Sequence, residues 1–132
     1  MIVVDASVLA PALMDDGKDG DRARQRLVGQ DLAAPELIDL EVTSVLHRAL
    51  RAGRVNRRRA EQALHDLADL PLVRSPHLPL LQRVWDLRAR MGPYEASYVA
   101  LAEALGAVLL TADIGLSRAR GLGCRVELLT DP

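Results

Sequence analysis

The sequence has no phenylalanine, a single cysteine and a single lysine, and its aromatic residues are limited to Trp85, Tyr94 and Tyr98. One thiol, Cys124, excludes an intrachain disulfide framework, and no neighbour in sequence marks it as an activated nucleophile. Three aromatic residues do not supply the exposed rings on which single-stranded bases stack, and they leave the core to valine, leucine and alanine. No apolar run approaches the roughly 20 residues of a membrane span, and no basic leader precedes the apolar start at Met1 to Val4, so a cytoplasmic protein is expected. Charge of one sign is missing too. Seventeen basic and eighteen acidic residues leave a net charge of -1, which excludes a global field that would draw the chain to nucleic acid or to a membrane and leaves that role to a local patch.

Against these absences stand 132 residues, 49% hydrophobic and 27% charged. That suits one domain over 1–132, which needs neither a disulfide nor a metal to fold. Ile2-Val3-Val4 is a β-branched run that stops at Asp5-Ala6-Ser7, and Val8 to Met14 suits a helix. The segment Asp15 to Asp21 reads as a polar, glycine-punctuated loop, with a short helix from Arg22 to Val28. It lacks an EF-hand pattern, since Gly17 stands at position 3 and Arg26 at position 12 counted from Asp15. Leu32-Ala33-Ala34 leads into Pro35, placed as the first turn of a helix that runs to Ala52 and stops at Gly53. Asn56 caps a helix through Leu70, Leu72 to Arg74 is a short strand, and another helix runs on to Arg90. Tyr94 to Leu105 is helical with Gly106 as its stop, Val108 to Thr111 is a buried strand, Ile114 to Arg120 a short helix and Arg125 to Leu129 a last strand. Strands separated by helices at this spacing predict a three-layer α/β/α fold with a small, mostly parallel central sheet.

Ligands of an open parallel sheet gather beyond the carboxyl ends of its strands, where Asp5 and Asp113 both fall. Either aspartate alone is accounted for as a helix cap. Glu41 lies among Ile38, Val42, Val45, Leu46 and Ala49 on the apolar face of its helix, so its carboxylate must meet a cation, a hydrogen-bond donor or a proton. Glu95 stands in the first turn after Pro93, a position the helix dipole favours by itself. Two acids at strand ends and two near helix starts converge on one sheet edge. Such a cluster is not fully ionised without a cation, and hard oxygen ligands suit Mg²⁺ or Mn²⁺. A metal held this way is suited to a phosphate oxygen and an activated water.

Asp5 in Val3-Val4-Asp5-Ala6-Ser7, Glu41 in Leu40-Glu41-Val42-Thr43-Ser44-Val45-Leu46, the segment Tyr94 to Ala102 and Leu109-Leu110-Thr111-Ala112-Asp113 together resemble the acidic signature of PIN-domain ribonucleases, in particular the VapC-type toxins of toxin–antitoxin pairs. The ordered set spans nearly the whole chain. The resemblance implies a metal-dependent endoribonuclease that uses Mg²⁺ or Mn²⁺, is neutralised by a cognate antitoxin and forms a homodimer. It implies that Asp5 is the central metal ligand, that Glu41 binds metal or orients the water, and that Asp113 acts directly or through water. Glu95 falls where the family usually has a metal-binding aspartate and is expected to serve as a metal ligand with altered geometry, and Gly115 and Leu116 follow Asp113 where some members carry another acid. Ser7, Ser44 and Thr111 are candidates to orient the carboxylates, with ordinary capping as the other account of each.

Arg48, Arg51, Arg54, Arg57, Arg58 and Arg59 form the densest basic stretch, suited to RNA or to an antitoxin, or else a solvated face. His47, His65 and His77 have no metal-ligand spacing and read as incidental. Two rivals stay open at this stage: a small-molecule metal-dependent phosphohydrolase, and a PIN-like binding module with little or no catalytic activity. An aspartyl-phosphate enzyme fits poorly, because Ser7 stands where a second acid would be wanted and Lys18 lies in a loop.

Overall fold

The computed structural model describes residues 1–130; the last two residues of the expected 1–132 domain lie outside that range. In chain order its elements are β1 (Ile2–Val4), α1 (Ala6–Met14), α2 (Lys18–Leu27), β2 (Leu32–Pro35), α3 (Ile38–Arg51), α4 (Arg57–Asp69), β3 (Leu72–Ser75), a 3-10 turn (Leu78–Leu80), α5 (Leu81–Asp86), α6 (Pro93–Leu105), β4 (Val108–Thr111), α7 (Ile114–Ser117) and β5 (Val126–Leu128). The five strands form one sheet in the order β3-β2-β1-β4-β5. Every pairing is parallel, with Ile2 opposite Leu32 on one side and Val108 on the other.

This order explains the layers. Parallel crossovers are right-handed, so the steps from β1 to β2 to β3 place α1 to α4 on one face. The return from β3 to β4, and on to β5, places α5 to α7 on the other. Contacts agree: α1 packs on α2, α3 and α4, while α6 packs on α5 and the central strands. Covered on both faces, the strands are continuous apolar runs rather than alternating ones, and Val3, Val4, Leu109 and Leu110 are fully buried. The expected α/β/α architecture is thus present, and its sheet is parallel throughout.

Several boundaries differ from the expectations. Pro35 closes β2 opposite Ser75 instead of opening a helix. A strand end tolerates its missing N–H, and α3 begins only at Ile38 after Glu36 has donated its own N–H to the Ser75 carbonyl at 2.9 Å. The second helix starts at Lys18, inside the segment expected to be a loop, because α2 packs tightly on the end of α1. A Cβ on Gly20 would lie 1.8 Å from the Asp15 carbonyl oxygen, and Arg24 donates to the carbonyls of Ala12 and Asp15 at 3.1 and 2.7 Å. The helix expected to reach Arg90 ends at Asp86, where the Leu87 N–H turns back to Arg83 and Val84 and its side chain drops into the core. α7 and β5 are shorter than expected.

Three arginine pairs tie elements together. Arg83 on α5 donates to both oxygens of Glu103 on α6 at 2.6 and 3.0 Å. At the edge strand β3, Arg74 donates to Asp39 at 2.8 Å and to the carbonyl of Leu67 at 2.9 Å. At the opposite edge, Arg26 forks onto Glu127 of β5 at 2.5 and 2.9 Å. His77 is not incidental as expected, because its Nε2 accepts the Leu37 N–H at 3.0 Å, just ahead of α3. Among the described residues no helix is long and apolar enough to cross a membrane.

Candidate active site

β1 connects outward to β2 and β4 outward to β5, in opposite directions, so the crevice between these neighbouring central strands is the switch point of the sheet. Asp5 follows β1 directly and is drawn onto β4 by its N–H, which donates to the Leu110 carbonyl at 2.9 Å. Its Oδ2 accepts two hydroxyl protons, from Ser7 at 2.7 Å and from Thr111 at 2.8 Å. Each hydroxyl has one proton and both are directed at this oxygen, so the 3.3 Å approach of Ser7 to Thr111 is a contact and no third bond. The hydroxyl oxygens in turn accept the N–H groups of Ala112 and Asp113 at 2.9 and 3.0 Å. The Asp5 carboxylate is therefore fixed in orientation through Oδ2, with Oδ1 left to the crevice.

Asp113 is exposed and caps α7, its Oδ1 accepting the Leu116 N–H at 3.3 Å. Glu41, one turn into α3, is half-buried, and its Oε1 accepts the phenol proton of Tyr98 on α6 at 2.6 Å. Glu95 lies in the first turn of α6, after Pro93 at its first position, and is exposed. These four carboxylates, from four segments, line one open cleft of about 590 Å³ with Ser7, Ser44 and Arg48, walled by Leu37, Leu40, Val45 and Tyr94.

Burial raises the Glu41 carboxyl above its ordinary value, the Tyr98 bond opposes that rise, and the charges of Asp5 and Glu95 add to it. Three of the acids thus act on one another. The Tyr98 phenol is pushed far above the usual range by burial and by the same carboxylate, so it remains a donor.

Among the described residues no three acidic, cysteine or histidine side chains stand close enough together to enclose an ion. Magnesium needs no such enclosure, since it keeps several waters and takes one or two protein carboxylates. An all-oxygen donor set with mutual repulsion fits a hard divalent cation. Asp5, oriented in advance and with one oxygen open, is the group best placed to hold it, with Glu95 and Asp113 beside it.

Of the three hydroxyls expected to orient carboxylates, Ser7 and Thr111 hold Asp5. Ser44 lines the cleft but bonds none of the four acids. The arginine stretch, expected as one basic patch, is dispersed, because the turn between α3 and α4 sends its members in different directions. Arg48 lines the cleft, and Arg51 ends α3 exposed. Arg54 faces a separate hollow with Asp15 and Asp16. Arg57 pairs with Glu61 at 2.9 Å and Arg59 with Asp16 at 3.1 Å. Arg58 stands exposed in the first turn of α4 and lines neither the cleft nor that hollow, so the structure does not bring it to the acids. Sequence reasoning missed the role of Tyr98. Its signal was a phenol on an inward helix face, which must find a partner when buried.

A parallel α/β sheet that gathers carboxylates at its switch point is an architecture suited to metal-assisted phosphate chemistry. The model of the PIN domain matches residues 2–122, and the chain belongs to the PIN-domain family. It is 40% identical over 129 residues to VapC ribonuclease Mb0985 of Mycobacterium bovis, covering 98% of each chain. Ribonuclease VapC1 of Mycobacterium tuberculosis is 39% identical over 128 residues, 96% of each chain. The crystal structure of Mycobacterium tuberculosis VapC20, a Sarcin-Ricin loop cleaving toxin, shares the fold with a TM-score of 0.72 at 17% identity, over 95% of this chain and 99% of that one. VapBC2 from Rickettsia felis, solved bound to a DNA fragment from its promoter, shares it with a TM-score of 0.70 at 15% identity, over 98% and 100%.

Proposed function

We propose that the protein is a divalent-metal-dependent endoribonuclease, the toxin of a toxin–antitoxin pair, acting as a single domain over 1–132. The observation that carries this reading is the cleft at the switch point, lined by Asp5, Glu41, Glu95 and Asp113 and holding Asp5 ready through Ser7 and Thr111. VapC ribonucleases of 39 and 40% identity over nearly the whole chain support it.

Asp5, Glu95 and Asp113 would hold Mg²⁺ or Mn²⁺, which would supply Lewis acidity toward a phosphate oxygen and toward an attacking water. Asp5 is held in place by the two hydroxyls that donate to its Oδ2. Glu41, whose carboxyl is the one raised toward neutrality, is the group suited to take a proton, and Tyr98 holds its other side fixed. Glu95 carries one methylene more than the aspartate usual in the family and lines the cleft exposed, so it would approach the same ion from farther out.

The partners that follow are RNA and a cognate antitoxin, and the paired VapBC2 of Rickettsia felis supports the latter. A cytoplasmic homodimer completes the proposal. The test is cleavage of a mixed structured RNA pool by purified protein with Mg²⁺ or Mn²⁺ against chelator, with Asp5→Asn alongside. Metal-dependent cuts that vanish in the variant are expected. Metal binding by a folded protein that cuts no RNA would instead favour a PIN-like binding module.

A further inference from the structure

Four carboxylates repel a polyanion, and a divalent ion offsets only part of their charge. Among the described residues lining the cleft, Arg48 is the sole cation. It is exposed and has no acidic partner among the described residues. Glu41, Ser44, Arg48 and Arg51 follow one another at spacings of three, four and three, so they lie on one stripe of α3. Arg51, also exposed and without an ion pair among the described residues, continues that stripe about 4.5 Å beyond Arg48 along the helix axis. The neighbouring arginines do not extend it: Arg57 and Arg59 are occupied by Glu61 and Asp16, Arg54 shares its hollow with Asp15 and Asp16, and Arg58 belongs to the next helix, α4. Of the six basic residues in the stretch, then, Arg48 and Arg51 run on from the acids and have no anionic partner among the described residues.

Resting on the ribonuclease reading, we propose that Arg48 and Arg51 form a phosphate track. Single-stranded RNA enters along the exposed stripe of α3, and the two guanidiniums hold the phosphates next along the strand from the one being cut. A guanidinium offers a planar fork that matches two phosphate oxygens, whereas the last turn of a helix alone would be served equally by lysine. The track sets the direction in which the strand crosses the cleft, toward the carboxyl end of α3. Arg48 and Arg51 are positioning residues, since neither touches the reacting atoms.

The test is steady-state cleavage of a labelled pool of single-stranded RNA 20-mers in Mg²⁺ over a series of salt concentrations. Arg48→Gln is expected to raise KM about tenfold with kcat nearly unchanged, and to reduce the slope of log kcat/KM against log salt by about 0.7, the loss of one single-strand phosphate contact. Arg51→Gln shows the same signs, Arg48→Lys falls between wild type and Arg48→Gln, and Lys18→Gln, which removes the same charge from α2, changes neither quantity. All three side chains are exposed, and melting temperatures check that the variants fold. Unchanged KM and salt slope in both glutamine variants overturn the track, whatever protein contact these arginines make. If the wild-type protein cuts no RNA, the ribonuclease reading fails separately. The track is then judged by binding of the same pool to Asp5→Asn protein in Mg²⁺: a Kd about tenfold weaker with Arg48→Gln added upholds it, and an unchanged Kd or no binding overturns it.

Discussion

Glu41 sits where its charge is opposed by burial and by Asp5 and Glu95, and the Tyr98 phenol only partly offsets this. Its native carboxyl therefore holds a proton to higher pH than the unfolded one, whose ordinary value is 4.5. Stability contributed by the protonated form is present below that value and is lost as pH rises through the raised native one. Glu41→Gln is accordingly expected to melt higher than wild type at pH 7, with the gap closing as pH falls below about 4.5, while RNA cleavage drops about 100-fold or more; thermal melts across pH and cleavage rates check both arms. Tyr98→Phe acts on the same carboxyl in the other sense. Removing the donor raises it further, so the acid limb of kcat/KM against pH is expected to move upward. At this scale the sequence was informative where chemistry follows position: Asp5 and Asp113 were readable from strand ends, and Glu41 from its place in an apolar stripe. Ser7 and Thr111 were readable as hydroxyls suited to orient a carboxylate, but their convergence on one oxygen of Asp5 was not, because Thr111 lies 106 positions from Asp5 and meets it only through the β1–β4 pairing.

Among the elements, α3 and α6 lie on opposite faces of the sheet, yet both begin at its carboxyl edge, and the Tyr98–Glu41 bond joins them there. The periodicity of these two helices and the apolar run of β4 made them legible. Leu32-Ala33-Ala34-Pro35 was harder, since alanine carries little strand preference and proline resembles a helix start. Pairing with β1 and β3 on both sides decides it. The α2 start was hidden by Gly17 and Gly20, which read as loop residues. Gly20 is there because the Asp15 carbonyl leaves no room for a side chain. Gly20→Ala is expected to cost about 1–3 kcal/mol, the range of overpacking, measurable by urea denaturation, whereas cleavage at low temperature stays near the wild-type rate because no cleft residue lies on α2.

For the whole molecule, a net charge of -1 conceals a segregated surface in which four acids gather at one cleft beside Arg48, which has no ion pair among the described residues. Folding brings those acids together, so metal binding is coupled to stability. A divalent ion at about 100 times its Kd is expected to add roughly 2.7 kcal/mol, a rise in Tm of about 8–13 °C for a domain of this size. Asp5→Asn is expected to abolish most of that rise without lowering the metal-free Tm, because an amide oxygen still accepts from Ser7 and Thr111; differential scanning calorimetry with and without metal reads both. The sheet also ends in two open edges, and each carries an arginine–carboxylate pair, Arg74–Asp39 at β3 and Arg26–Glu127 at β5. A strand edge that bears a fixed, inward-held charge is a poor template for a further strand from another chain. The same pairs that fasten helices to the sheet thus also place a charge at each edge, where it disfavours the addition of a strand from another chain.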